Sequence, residues 1–255
     1  MNTILEVKKL NKSYPLSKTE TQQILYDVDL SVEQGEFVAV MGASGSGKST
    51  LLYNISGMDR PDSGTVTLME QPLHSLGENE LASLRLGSIG YVFQQSNLLK
   101  NLNIFDNIIL PAYKAKKEER QSIDSRADRL MRDLGISELV EKDITQASGG
   151  QLQRVAICRA IINKPTILFG DEPTGALNSK ATEEVMDILE EINKKGTTVL
   201  LVTHDVRVAA RASRVLYMMD GRIVNEIYLD NAIPNKANWN RRETTLIEWL
   251  KAQGF

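Results

Sequence analysis

Eight consecutive residues, Gly42-Ala43-Ser44-Gly45-Ser46-Gly47-Lys48-Ser49, have the types and spacing of a phosphate-binding loop. The glycines let the backbone curl until several N–H groups point inward at one anion, and a helix beginning near Lys48 would set its positive dipole end beneath the phosphates. Lys48 can then reach the β- and γ-phosphates, while Ser49 offers a hydroxyl to Mg²⁺, a cation that prefers hard oxygen ligands. Gly42, Ala43, Ser44, Gly45, Ser46, Gly47, Lys48, Ser49 and the following Thr50 are therefore the expected nucleotide-binding residues. An apolar strand, Phe37 to Met41, precedes them and a helical run follows, the order this chemistry requires. The chain is expected to bind a nucleoside triphosphate.

The elements that must position this loop follow from periodicity. Ile4 to Leu10, Ile24 to Val32 and Thr65 to Met69 alternate as strands, with Pro61-Asp62-Ser63-Gly64 as a turn, and predict an antiparallel sheet beside the nucleotide core. From Leu98 to Ile162 the pattern is helical: Ile104, Phe105, Ile108 and Ile109 share a face, and Ile123, Ala127, Leu130, Met131 and Leu134 recur at helical spacing before Gly135. A helical subdomain at about 95–163 is thus inserted between two core strands. The remainder alternates strand and helix, with Thr166 to Asp171, Ala181 to Asn193, Thr197 to Thr203 and Val206 to Ala212. Such alternation predicts a parallel sheet with crossover helices and ligands at the carboxyl ends of its strands. Asp220-Gly221 reads as a hairpin turn. The fold class is α/β: a RecA-like phosphate-loop core with a parallel sheet, an antiparallel β-subdomain and an inserted helical subdomain.

A second motif narrows the class. Ala147-Ser148-Gly149-Gly150-Gln151 is followed by a helical pattern from Leu152 to Ile162, and then by the strand that ends in Asp171-Glu172. Here the chain resembles the ATP-binding cassette family, whose signature reads Leu-Ser-Gly-Gly-Gln, with Ala147 at the one differing position. The likeness runs from Ile4 to about Tyr228, with the motifs in the family's order.

The resemblance implies roles for residues outside the loop. Ile167-Leu168-Phe169-Gly170-Asp171 resembles the Walker B strand, so Asp171 would hold Mg²⁺ through a water and Glu172 would polarise the attacking water. In an extended chain successive side chains point opposite ways, which would let the two carboxylates serve different partners. His204, after Val199 to Thr203, matches the switch histidine that contacts the γ-phosphate. Gln94 matches the glutamine that ligates Mg²⁺ together with Ser49 and Asp171, with Gln95 as rival for the role. Tyr14 stands where an aromatic stacks on adenine, or else is an ordinary strand-end tyrosine, and Pro15 to Thr21 reads as a mobile loop beside it. Ser148, Gly149, Gly150 and Gln151 would cover the γ-phosphate held by a second, head-to-tail cassette, with Ala176, Leu177 and Asn178 carrying crosstalk between the two sites. The reaction implied is ATP hydrolysis with ATP and Mg²⁺, by positioning and electrostatic stabilisation.

Three positions depart from the family pattern. Ala147 replaces a packing residue and Gly170 an apolar one, both with mild expected effect. Asn178 stands where the family usually has Asp; an amide keeps the shape and loses the charge.

Composition sets limits on all of this. The chain has 255 residues, 42% apolar and 25% charged, so one compact multilayer domain is the simplest expectation. With 30 Lys plus Arg against 33 Asp plus Glu and a net charge of −3, nothing marks a nucleic-acid partner. Cys158 is the single cysteine, so no intramolecular disulfide forms, and its apolar neighbours mark it as a small core residue. His74, near Pro72, reads as a solvated loop residue. The first residues carry no secretory signal and no apolar run approaches the roughly 18 residues that span a bilayer. The expected place is peripheral, at the cytoplasmic face of the membrane, on a permease that is a separate chain, with a second ATPase subunit making a homodimer.

Residues Asn97 to Ile108 look like the surface that receives a permease's coupling helix. Overall likeness is to the group of macrolide-export, lipoprotein-release and bacitracin- or lantibiotic-resistance ATPases, and antimicrobial peptide resistance or export is the favoured reading. Macrolide-export or lipoprotein-release types, a soluble cassette ATPase without a permease, and an ATP-driven regulatory clamp are the alternatives. The expected domain is residues 1–230, with an extension at 231–255 whose Leu246, Ile247, Trp249 and Leu250 give an apolar helical face; Trp249 and Phe255 are large for an exposed end. That face either docks on its own core or meets a partner. Lys114 to Arg120 reads as a solvated helical start.

Overall fold

A computed structural model describes residues 2–17, 19–229 and 236–254. In chain order it comprises β1 (Thr3–Pro15), β2 (Thr21–Glu33), β3 (Phe37–Met41), α1 (Lys48–Ile55), β4 (Ser63–Leu68), β5 (Gln71–Pro72) and α2 (Glu78–Ser88). There follow β6 (Ile89–Val92), α3 (Ile104–Ala115), α4 (Arg120–Asp133), α5 (Gly149–Ile161), β7 (Ile167–Asp171) and α6 (Ser179–Lys194). The chain ends with β8 (Thr198–Thr203), α7 (Val206–Ala209), β9 (Arg214–Met219), β10 (Arg222–Tyr228) and α8 (Lys236–Ala252). It divides into two compact units, one of Met1–Leu81 with Thr198–Phe255 and one of Ala82–Thr197.

The first unit holds two sheets. In one, β1 pairs antiparallel with β2 and with β4, and β4 with β5. Its strands alternate: Leu5, Val7 and Leu10 of β1 and Leu25, Val28, Leu30 and Val32 of β2 are buried while their neighbours are mostly not, the pattern of a sheet with one covered face. In the other sheet β3 lies between β8 and β9, parallel to both, and β10 returns antiparallel along β9. Every residue of β3 and β8 is buried, as a parallel strand covered on both faces must be, which is why both read as unbroken apolar runs. The Asp220-Gly221 turn between β9 and β10 has positive φ at both residues, 47° and 74°, as a tight hairpin requires.

Helix α8 docks on its own unit. Leu246 and Leu250 are buried, and Trp249 meets Tyr217 edge-on with ring centroids 6.2 Å apart. The Arg242 guanidinium donates to Ala210 O at 2.7 Å and also to Ala212 O, carbonyls just beyond α7. Phe255 lies outside the described residues, as does Lys18 in the Pro15 to Thr21 loop, where Leu16 N–H donates to Glu20 O. Among the described residues no helix is long and apolar enough to cross a membrane.

The second unit pairs β6 parallel to β7 and buries Ile104, Ile108, Ile123, Ala127, Met131, Val155, Ile157 and Cys158 among its helices. Burial, with Asp133 adding, pushes the Cys158 thiol up to about 12, so it behaves as an apolar filler. Two local expectations fail here and in the first unit. Lys114 to Arg120 does not start a helix: α3 runs to Ala115, Lys116 takes a left-handed C-cap at φ 52°, and α4 starts only at Arg120, so this stretch is the break between helices. Val206 to Ala212 yields only the four-residue α7, because the chain must turn at once into β9 beside β3. Helix α2, with a polar exposed face and Leu81 its one buried residue, is too weakly amphipathic to be read from periodicity.

Candidate nucleotide site

Strand β3 delivers the chain directly into Gly42, and steric room is what fixes that residue. A Cβ there would lie 2.2 Å from Met218 O and 2.7 Å from Ser46 Oγ, so no side chain fits. Gly47 occupies the N-cap position of α1 at φ 99° and has no side chain with which to close the helix end. The hairpin after β9 braces the loop from behind, with Gly221 N–H donating to Ser46 O at 3.0 Å. Lys48 is 6% exposed, and its ammonium donates at 2.8 Å to both Gly42 O and Ala43 O, which folds the charge over the loop's own backbone. Ser46 Oγ is buried and has no hydrogen-bond partner. A buried hydroxyl without a partner is costly unless a ligand supplies one, so this loop fits a phosphate-bearing ligand.

Tyr14 is the penultimate residue of β1 and is 37% exposed. Its hydroxyl donates to Asp59 Oδ2 at 2.7 Å, and the Thr50 hydroxyl, in α1, also reaches it. The Lys12 ammonium lies 4.9 Å from the ring centroid and is itself held by Asp59 Oδ1 at 3.0 Å and Arg60 O at 2.7 Å. Burial first, and the Asp59 carboxylate next, push the Tyr14 phenol up to about 12. Burial also works to raise Asp59, yet the Tyr14 hydroxyl, the Lys12 ammonium and the Arg60 N–H outweigh it and hold Asp59 below the usual carboxylate range. This gives a pinned aromatic plate beside the phosphate-loop helix. In the same unit, His204 follows β8 at the surface, before Asp205, whose Oδ1 accepts from Arg207 N–H at 2.8 Å and caps α7.

In the second unit the carboxyl ends of β6 and β7 converge. Asp171 closes β7 and is buried. Glu172 then leaves the strand at φ 44°, a left-handed conformation that costs a non-glycine residue free energy and is found where function demands it. Asp171 is thus the last residue in the strand and Glu172 the first outside it, so strand alternation does not set the direction of the Glu172 side chain. Gly175 N–H donates to Glu172 O at 2.9 Å. A Cβ on Gly175 would lie 2.8 Å from Gln94 Nε2 and 3.2 Å from Glu172 Oε2, so the side chains of Gln94 and Glu172 both close on Gly175.

The signature residues start α5. Ser148 is its N-cap: Ser148 Oγ accepts from Gln151 N–H at 3.4 Å, and Gln151 Oε1 accepts from Ser148 N–H at 2.9 Å. Ser148 and Gly149 are exposed. Asn178 is the N-cap of α6, with Oδ1 accepting from Ala181 N–H at 2.9 Å. Both helix starts line one open cleft of about 460 Å³ with Ala176, Leu177, Arg154 and Glu184, the last two forming an ion pair. Two helix N-termini opening on one cleft make it favourable to anions.

Sequence reasoning missed Gln153 and Arg159, both on α5. The Gln153 amide donates to Phe93 O at 2.9 Å and Pro173 O at 2.7 Å, and Arg159 donates at 2.8 Å to Ser96 O and to Asn97 O. Nothing in their neighbours marks them, since each acts on carbonyls distant in sequence.

The family model described as ABC transporter matches residues 25–175. The chain is 38% identical over 252 residues to the bacitracin export ATP-binding protein BceA of Halalkalibacterium halodurans, covering 98% of this chain and 96% of that protein. It is 44% identical over 222 residues to the macrolide export ATP-binding/permease protein MacB 1/2 of Paracoccus denitrificans, covering 87% of this chain and 33% of that protein. Among solved structures, the dimeric post-hydrolysis state of the ATP-binding cassette MJ0796 with ADP and Pi matches with a TM-score of 0.83 at 37% identity, covering 89% of this chain and 99% of that one.

Proposed function

This chain belongs to the ATP-binding cassette transporter family and is an α/β ATPase that uses ATP and Mg²⁺; we propose that it drives a separate membrane permease, paired with a second copy of itself, in resistance to or export of antimicrobial peptides. The observation that carries the ATP-binding half is the phosphate loop, with its glycine pressed on Met218 O and its buried Ser46 hydroxyl in want of an acceptor or donor. Lys48 and the loop N–H groups take the phosphates, Thr50 closes the loop and Tyr14 offers its ring to the base. Ser49, Gln94 and Asp171 would hold Mg²⁺, which when bound neutralises charge on the phosphates. Glu172 orients and polarises the attacking water, and His204 holds the γ-phosphate. Ser148, Gly149, Gly150 and Gln151 address the nucleotide of the second copy, and Ala176, Leu177 and Asn178 pass its state across.

The peptide reading is supported by the likeness to the bacitracin export protein, which covers 98% of this chain and 96% of that protein. Macrolide export is the second reading, favoured by the 44% identity to the macrolide export protein. Residues 1–230 act as the ATPase and 231–255 as an extension of it, at the cytoplasmic face of the membrane.

The deciding experiment purifies the tagged chain from its own cells in mild detergent and identifies the membrane protein that accompanies it. ATP hydrolysis is then measured with bacitracin, a lantibiotic and a macrolide. Stimulation by a peptide supports the proposal, stimulation by the macrolide alone selects the second reading, and full activity with no membrane partner rejects both. Glu172→Gln is expected to keep ATP binding, stop turnover and hold the dimer on a sizing column.

A further inference from the structure

Gln153 lies in the second turn of α5 and is 2% exposed. Both hydrogens of its amide nitrogen are spent on carbonyls, one from Phe93, immediately before Gln94, the other from Pro173, immediately after Glu172. Chemistry fixes the orientation of this amide: turned over, its oxygen would face two carbonyl oxygens. The same helix holds the far side of Gln94, where Arg159 takes the Ser96 and Asn97 carbonyls. The carbonyls gripped flank the two residues whose side chains crowd Gly175, with Gln94 Nε2 and Glu172 Oε2 at 2.8 and 3.2 Å from where its Cβ would stand. Neither Gln94 nor Glu172 sits in regular structure, so their spacing needs a fixed external reference.

We propose that Gln153 is a positioning residue of the ATPase, a clasp that ties the loop after β6 to the loop after β7 and thereby sets the Glu172 carboxylate against the Gln94 amide. This rests on the assignment of Glu172 and Gln94 above. A side chain that fixes the geometry of groups acting on water affects turnover more than nucleotide affinity, because that geometry matters most in the transition state.

The test uses the full chain with its co-purified membrane partner. Gln153→Met keeps length and helix preference and removes both donors; Gln153→Glu keeps shape and turns donors into acceptors; Gln153→Lys restores donors. Thermal melts confirm which are folded at the assay temperature, and either Met or Glu suffices. The expected result is a kcat lowered about tenfold or more for Met and Glu, with ATP affinity within about twofold of wild type and Lys the most active of the three. The double variant Gln94→Ala, Gln153→Met should lose little more than the worse single variant, because the two act as a unit. Wild-type kcat in a folded Met or Glu variant, a loss confined to ATP affinity, or a fully additive double variant would overturn the clasp. Glu172→Gln run alongside separates the two failures: wild-type turnover there rejects the role of Glu172 itself, while an inactive Glu172→Gln beside a fully active Gln153→Met rejects the clasp alone.

Discussion

The Tyr14 hydroxyl and the Asp59 carboxylate are joined at 2.7 Å, and each holds the other in its resting charge state. Tyr14 rises to about 12 from an ordinary 10.0, so the folded state keeps its proton more tightly than the unfolded chain. Its contribution to stability is whole below about pH 10 and is lost as pH climbs from there towards 12. Asp59 is lowered, so its contribution is present above its ordinary 3.8 and is lost as pH falls through its folded value. Between those windows the plate beside the phosphate loop should not respond to pH. Ultraviolet difference titration against Tyr14→Phe checks this: at about pH 11 Tyr14 should still be a phenol, and Asp59→Asn should bring its ionisation down. A Tyr14 that ionises with the ordinary tyrosines contradicts the bond.

Ser46→Ala removes a buried hydroxyl that has no partner in the protein. The nucleotide-free protein should melt no lower than wild type, since an unsatisfied buried group costs about 1 to 3 kcal/mol. ATP binding should weaken roughly five- to tenfold. Melting curves with and without ATP measure both, and a lower melting point without ATP would show that the hydroxyl is already satisfied.

Gly175→Ala places a methyl group on the ends of two flexible side chains, which can swing away at little cost. Stability should therefore hold while Gln94 and Glu172 are displaced, with kcat falling about ten- to a hundredfold. Steady-state ATPase assays with parallel melts decide it: unchanged kcat refutes the placement of these side chains, and a large drop in melting temperature refutes the cheap displacement.

Asn178 caps α6 through its amide oxygen. Alanine at this position should cost about 1 kcal/mol, and aspartate should keep the cap and gain from the helix dipole. Urea unfolding tests the stability order Asp, Asn, Ala. ATP titration of the assembled complex tests whether the added carboxylate changes rate and cooperativity, as a crosstalk role for this residue requires; identical rate and cooperativity would remove that role.

How much of this was legible depends on how local each cause is. The phosphate loop and the Asp220-Gly221 turn are dictated by residues adjacent in sequence, so their types alone place them. Apolar runs likewise gave away β3, β7 and β8, because a doubly covered strand has no polar side. Gln153 was hidden, since a glutamine on a helix carries no sign that two distant carbonyls await it. The positive φ of Glu172 was hidden for a related reason: nothing about glutamate favours that conformation, and the loop around it must impose it. Lys114 to Arg120 misled because good helix formers also serve as the turn between helices once Lys116 adopts a left-handed conformation.

Strand β3 takes both of its neighbours, β8 and β9, from Thr198 onward, and the phosphate loop it carries leans on Met218 and Gly221. On the ribosome, Lys48 emerges well before Thr198, so β3 and its loop wait for both flanking strands and for the backbone of Met218 and Gly221. Pairings so distant in sequence form slowly, so the loop gains its backing late in folding. A chain that stops before Thr198 would carry every residue of the loop and lack the strands that brace it.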